Sequence, residues 1–178
     1  PLLVVDNQIE IWQSNAISRY IAKITNNIPD NKEMAAYADS IFESAHDLFF
    51  PLNPTINVFV GENHLNNKKN LIKEILPKAF SNFEKLLQKY KGNFFLGDQV
   101  FYCDFNVYHH LSLALLLENT ILDNYPKLKQ FMINFEALEG IKKYLDTRAE
   151  LVGIGTWPKV IIDGKEYTSG TNPYYKYL

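Results

Sequence analysis

Gln13-Ser14 is the first place in this sequence where residue type and spacing suggest chemistry. Ser14 stands directly ahead of Ala16, Ile17, Tyr20, Ile21 and Ile24, an apolar pattern with helical spacing, so the pattern predicts a helix that starts there. A hydroxyl and free backbone N–H groups at a helix start attract an anion, and the helix dipole adds to the attraction. A carboxylate suits Ser14. By sequence pattern alone the simpler reading is that Ser14 only caps its helix. A second set, Asp39, Glu43, His46 and Asp47, falls on one face of a later helical pattern. By pattern alone, carboxylates so placed read as a solvated helix face. Glu43-x-x-His46 has metal-ligand spacing, but two ligands do not make a catalytic centre, and no metal is assigned. His109 and His110 are adjacent and point in different directions, which suits hydrogen-bonded core or rim histidines better than a metal pair.

The bulk numbers bound these readings. With 178 residues, 47% hydrophobic and 14% aromatic, the chain can bury a sizeable core without disulfides or metal. A formal charge of -2 leaves no basic excess for nucleic acid or an anionic membrane surface. Cys103 is the only cysteine, which excludes an internal disulfide and favours a reducing compartment, with the cytoplasm as the default. The apolar stretch Leu111 to Leu117 is far too short to span a bilayer.

The elements that must position the candidate residues follow from periodicity. Leu2 to Val5 and Gln8 to Ile11 read as strands around the turn formers Asp6 and Asn7. A lone hairpin is marginal in water, so these strands are expected to pair with others from before Pro1 or from elsewhere. The polar stretch Asn26 to Asn31, with Pro29, is the best linker. Helical periodicity runs from Lys32 to about Val58, kinked or ended by Pro51 and Pro54, and again from Leu65 to Tyr90. Pro77 is expected to bend that second helix, and Gly92 to end it. Asp104 to Glu118 is apolar nearly all round and predicts the central helix of a bundle. Tyr125 to Asn134 and Leu138 to Asp146 complete an all-α part of about five helices. Asp163-Gly164 between two β-favouring runs predicts a terminal hairpin.

Several of these segments together resemble the glutathione transferase family. Pro1-Leu2-Leu3 before a strand, Gln13-Ser14-Asn15-Ala16-Ile17 and Arg19-Tyr20-Ile21-Ala22 are similar to its glutathione-holding segment. Phe95-Leu96-Gly97-Asp98, Tyr102-Cys103-Asp104 and the stretch from Ile141 to Arg148 are similar to its later signatures. The sigma-type subgroup is the preferred placement. The resemblance implies a mainly α chain: part of a thioredoxin-like β-β-α module over residues 1–26, an all-α C-terminal domain over 32–148, and an extra tail over 149–178.

It further implies glutathione as co-substrate, held by Pro1 near its cysteinyl group, by Gln13 and Ser14 at its γ-glutamyl carboxylate, and by Glu43 reaching across a homodimer to its amine. Phe49 and Phe50 would line the site of a small hydrophobic electrophile, with core packing the equal alternative. The implied reaction is attack of the glutathione thiolate on that electrophile in detoxification, or isomerisation of a lipid peroxide as in the prostaglandin D synthase branch. The activating tyrosine is expected upstream of Pro1, so no catalytic residue is assigned in this chain. The rival is a non-catalytic scaffold that keeps the fold for assembly. One departure stands out: Phe101 occupies the position where the family has the Ser or Thr of a capping box, so Asp104 must cap the central helix alone or its start must be reorganised.

Overall fold

A computed structural model describes residues 1–169; residues 170–178, the end of the expected tail, lie outside the described residues. The chain opens with an antiparallel hairpin of β1 (Leu2–Val5) and β2 (Ile9–Trp12), in which Leu2 pairs with Trp12 and Val5 with Ile9. Asp6 and Asn7 both adopt positive φ, 51° and 55°, as a primed turn demands of residues that tolerate the left-handed region. Helix α1 (Ser14–Ile24) follows, and its only fully buried residue is Ala22.

The linker is irregular until Asn31, whose side chain accepts the Met34 N–H at 2.8 Å and starts α2 (Lys32–His46). The chain breaks at Asp47 and Leu48 and resumes as α3 (Phe49–Asn57), so the first long helical pattern is two helices. Pro51 sits in the first turn of α3, where its missing N–H costs nothing.

The second pattern runs without interruption through α4 (Gly61–Asn70), a π-helical turn (Leu71–Ile75) and α5 (Leu76–Leu87). The Leu76 N–H bonds to the carbonyl of Leu71, one residue beyond the α-helical partner. The widened turn falls immediately ahead of Pro77, which has no N–H to give; a change of helix type thus accompanies the proline where a bend was expected. Gly92 does not end α5, which stops at Leu87. Its φ of 141° and the approach of the Gly97 backbone, 2.2 Å from where a Cβ would stand, make it a close-packing glycine.

Helix α6 (Tyr102–Leu117) is the centre of the bundle, with Val107, Leu111 and Ala114 fully buried. It packs on α2 and α3, while α5 packs on α7 (Pro126–Glu136) and α7 on α8 (Glu139–Thr147). Phe131 of α7 meets Phe95 at 5.3 Å and Phe135 at 5.9 Å between ring centroids. The start of α6 keeps half of a capping box. Asp104 accepts the Phe101 N–H at 2.8 Å, and its other carboxylate oxygen accepts the Phe95 N–H at 3.1 Å.

The expected terminal hairpin is present with one more strand: β3 (Glu150–Val152), β4 (Lys159–Ile162) and β5 (Lys165–Thr168) form an antiparallel sheet, turning at Asp163 and Gly164 with φ of 49° and 73°. This sheet is seated at the junction of α3 and α4. The Gly61 N–H donates to the Gly155 carbonyl at 2.9 Å, Gly155 lies against the His64 ring, and Ser169 bonds the side chain of Asn57. Within residues 150–169 the tail thus meets the C-terminal end of α3, at Asn57, and the start of α4.

Candidate functional site

The start of α1 is the locus where most of the sequence-selected residues meet. Ser14 is not the N-cap. That place falls to Gln13, in the unusual conformation φ 71°, ψ 121°, and no side chain caps the helix. A non-glycine residue held at positive φ costs on the order of 1 kcal/mol or more, and such strain gathers at functional sites. Here it turns the chain sharply from β2 into α1, leaving Ser14 in the first helical turn with the uncapped N–H groups around it. Because Leu2 pairs with Trp12, Pro1 stands across from Gln13 at the same end of the hairpin. Pro1, Gln13 and Ser14 therefore share one corner.

Glu43 arrives at that corner from α2 of the same chain. Both of its carboxylate oxygens accept from the Asn15 side-chain amide, at 3.3 Å each, and it pairs with Arg19. Glu43, expected to reach across a homodimer to the glutathione amine, is within its own chain bonded to Asn15 and Arg19 of α1. Arg19 holds a second carboxylate one turn earlier: its Nε donates to Asp39 at 2.8 Å, and its guanidinium lies 5.1 Å from the Phe42 ring centroid. Asp39 also receives the hydroxyl of Tyr102 at 2.6 Å, so one carboxylate ties α1, α2 and α6 together. Burial alone would raise the Asp39 carboxyl; the Arg19 and Tyr102 hydrogen bonds and the Arg19 charge hold it below its usual range. The cluster of Asp39, Glu43 and Arg19 carries a net charge of about -1, beside a helix start that favours an anion. Such a corner suits a zwitterion: carboxylate to α1, ammonium to Glu43.

Sequence reasoning selected Ser14, Gln13 and Glu43 but gave no role to Arg19 or Tyr102. Both stand in family-like motifs, but neither motif says what they bond: Arg19 follows Ser14 by little more than one turn, and the Tyr102 bond spans 63 positions to Asp39.

Phe49 and Phe50 lie further along the same side of the chain. His46, at the end of α2 and one turn on from Glu43, stacks on Phe49 at 5.4 Å and meets Phe50 edge-on at 6.0 Å. Phe49 is 38% and Phe50 70% exposed, so they form an open aromatic wall and not core. A mostly apolar cavity of about 460 Å³ lies elsewhere, between α1, α2 and α6, lined in part by Ile21, Thr25, Phe42, Phe105 and His109; neither Phe49 nor Phe50 reaches it. Among the described residues, no three His, Cys, Asp or Glu side chains converge as metal ligands, and no helix is long and apolar enough to cross a membrane.

Comparison with known proteins bears on what this corner holds. Residues 46–148 match the family description "Glutathione S-transferase, C-terminal domain". Glutathione S-transferase P of Caenorhabditis elegans is 31% identical over 144 residues, covering 80% of this chain and 67% of that protein. A glutathione S-transferase of Plasmodium yoelii yoelii is 36% identical over 156 residues, covering 85% and 69%. Human glutathione S-transferase Mu 3 is 33% identical over 144 residues, covering 81% and 61%. The solved Pi-class glutathione S-transferase of Onchocerca volvulus superposes with a TM-score of 0.72 at 30% identity, over 80% of this chain and 68% of that one. These relatives carry P, Pi and Mu names, so the sigma-type placement draws no support from them. The chain spans about two thirds of the length of the relatives it matches, and in sequence and in fold it belongs to the glutathione S-transferase family.

Proposed function

We propose that this chain contributes the glutathione-holding corner and the co-substrate wall of a glutathione transferase. Ser14 and the free N–H groups of α1 take the γ-glutamyl carboxylate, with Gln13 as a second polar contact, Pro1 beside the cysteinyl group and Glu43 at the amine. Phe49 and Phe50 face the hydrophobic electrophile. The observation that carries this reading is the strained, uncapped start of α1, since a serine serving only to cap its helix would stand at Gln13's position and bond the backbone. The residues of this chain bind and orient; activation of the thiol is assigned to none of them. A homodimer and a cytoplasmic location belong to the same proposal, by likeness to the family.

Calorimetry with glutathione tests the reading. The chain binds glutathione, and Ser14→Ala weakens it at least tenfold while leaving the melting temperature within about 2 °C, since an exposed first-turn serine contributes only a few tenths of a kcal/mol to the fold. Equal affinity for both proteins removes the carboxylate assignment. No binding by either favours the scaffold reading.

A further inference from the structure

The geometry points to His110 as the hydrogen-bond acceptor that sets what the Phe49–Phe50 wall takes: a hydrophobic molecule carrying one O–H or N–H donor. This rests on reading that wall as the co-substrate side. His110 is 2% exposed, in the middle of α6. Its Nδ1 lies 2.8 Å from the Asn106 carbonyl oxygen, one turn back on the same helix. A carbonyl only accepts, so Nδ1 carries the hydrogen, and in the neutral ring Nε2 is left as a bare acceptor. Burial pushes the ring's pKa down to about 4, so the ring is neutral at physiological pH. Among the described residues Nε2 has no hydrogen-bond partner. A buried acceptor of this kind costs stability until something donates to it.

What surrounds the ring is aromatic. His109 lies 5.1 Å away edge-on, and His46 6.4 Å away edge-on from α2. A direct imidazole–imidazole hydrogen bond needs nitrogens within about 3 Å, which brings ring centroids to roughly 5 Å; at the observed spacing His46 does not supply the missing donor. His46 is instead stacked on Phe49 and touching Phe50. The half-buried imidazole of His46 thus neighbours both the open aromatic wall and the His110 ring, and on this inference it is the side chain that turns aside to let a donor reach Nε2. A molecule with an apolar body and a hydroxyl covers the wall with the one and satisfies Nε2 with the other. A molecule whose oxygen is capped covers the wall and still strands the acceptor, which is the asymmetry by which buried polar groups discriminate.

The test uses benzyl alcohol and benzyl methyl ether, titrated without glutathione into the full chain and followed by NMR shifts of the His46, Phe49 and His110 signals. The ether is the more hydrophobic of the two, so a plain aromatic wall prefers it. The expected result is a preference for the alcohol of about five- to tenfold, the worth of one buried hydrogen bond, reversed in His110→Phe, which keeps the ring volume and removes the acceptor. Should His110→Phe not fold, nitrogen-15 spectra of the natural protein decide alone: Nδ1 protonated, Nε2 bare, and the Nε2 resonance moving with alcohol and not with ether. Equal affinities, an alcohol preference that survives His110→Phe, a hydrogen found on Nε2, or no shift with either probe overturns the inference. Because glutathione is absent from these titrations, a failed carboxylate site at Ser14 and a failed acceptor at His110 give separate results.

Discussion

Asp104→Asn removes one oxygen from the side chain that caps the start of α6. In the natural protein each carboxylate oxygen has its own donor, the Phe101 N–H at 2.8 Å and the Phe95 N–H at 3.1 Å, and the side chain is fully buried. Asparagine satisfies one of these. Its amide NH2 then faces the other N–H, leaving two donors opposed and out of water. Losing one bond to a charged acceptor and stranding a buried donor costs about 2–4 kcal/mol. For a chain of this size that lowers the melting temperature by roughly 4–16 °C. Burial raises the carboxyl to about 6, against the hydrogen bonds that favour its ionised form. With the folded pKa above the unfolded value of about 3.9, the folded state holds the extra proton between those two values; Asp104's contribution is full below about pH 4 and declines as pH rises through 6. The neutral acid still offers a lone pair on each oxygen, which the amide does not. The deficit of Asp104→Asn is therefore larger at pH 5 than at pH 7.5, by on the order of 1–3 kcal/mol. Urea unfolding followed by circular dichroism at both pH values measures it. A loss under about 1 kcal/mol at both, or a deficit that grows as pH rises, refutes the reasoning.

Three further outcomes follow from the same contacts. Tyr102→Phe removes the hydroxyl that Asp39 receives at 2.6 Å, leaving Arg19 as its partner; with only Ala22 of α1 buried, polar ties through Asp39 and Glu43 position the helix, so loosening Asp39 speeds amide exchange over Ser14–Ile24 several-fold while α6 stays protected. Glu84 accepts both the Lys127 and Leu128 N–H groups at 2.9 Å, so Glu84→Ala lowers stability by about 1–2 kcal/mol in urea unfolding, and Glu84→Gln by less. Gly155→Ala places a Cβ 2.6 Å from His64 at a φ of 79°; limited proteolysis is expected to cut within Glu150–Thr168 of the variant well before the natural protein.

Much of the architecture could be read from local order along the chain. A hairpin around Asp6-Asn7, a helix from Ser14, a linker ending at Asn31, an apolar central helix and an Asp163-Gly164 turn all depend on short-range preferences, and periodicity or turn chemistry reports those directly. The start of α6 was open between two readings, and the structure keeps half a capping box because Asp104 reaches its N-cap N–H across one turn. Where the local reading erred, the competing influence lay a few residues away. Ahead of Pro77, where a bend was expected, the helix also widens into a π-helical turn that the proline alone did not announce. Gly92 belongs to a close approach with Gly97 and not to a helix end.

The binding corner divides along the same line. In the sequence, a serine at a helix start is a pattern written within a few residues, while the roles of Gln13 and Glu43 came from the resemblance of their segments to the family. Only the tertiary structure could show that Gln13 takes the cap position and leaves Ser14 free, that Glu43 meets Asn15 and Arg19 of its own chain, and that Tyr102 closes the set through Asp39. It alone could also leave His110 with an acceptor that nothing among the described residues answers. Hydrogen bonds between residues 20 to 63 positions apart depend on how helices pack, and packing is a property of the whole core that no stretch of neighbouring residues encodes.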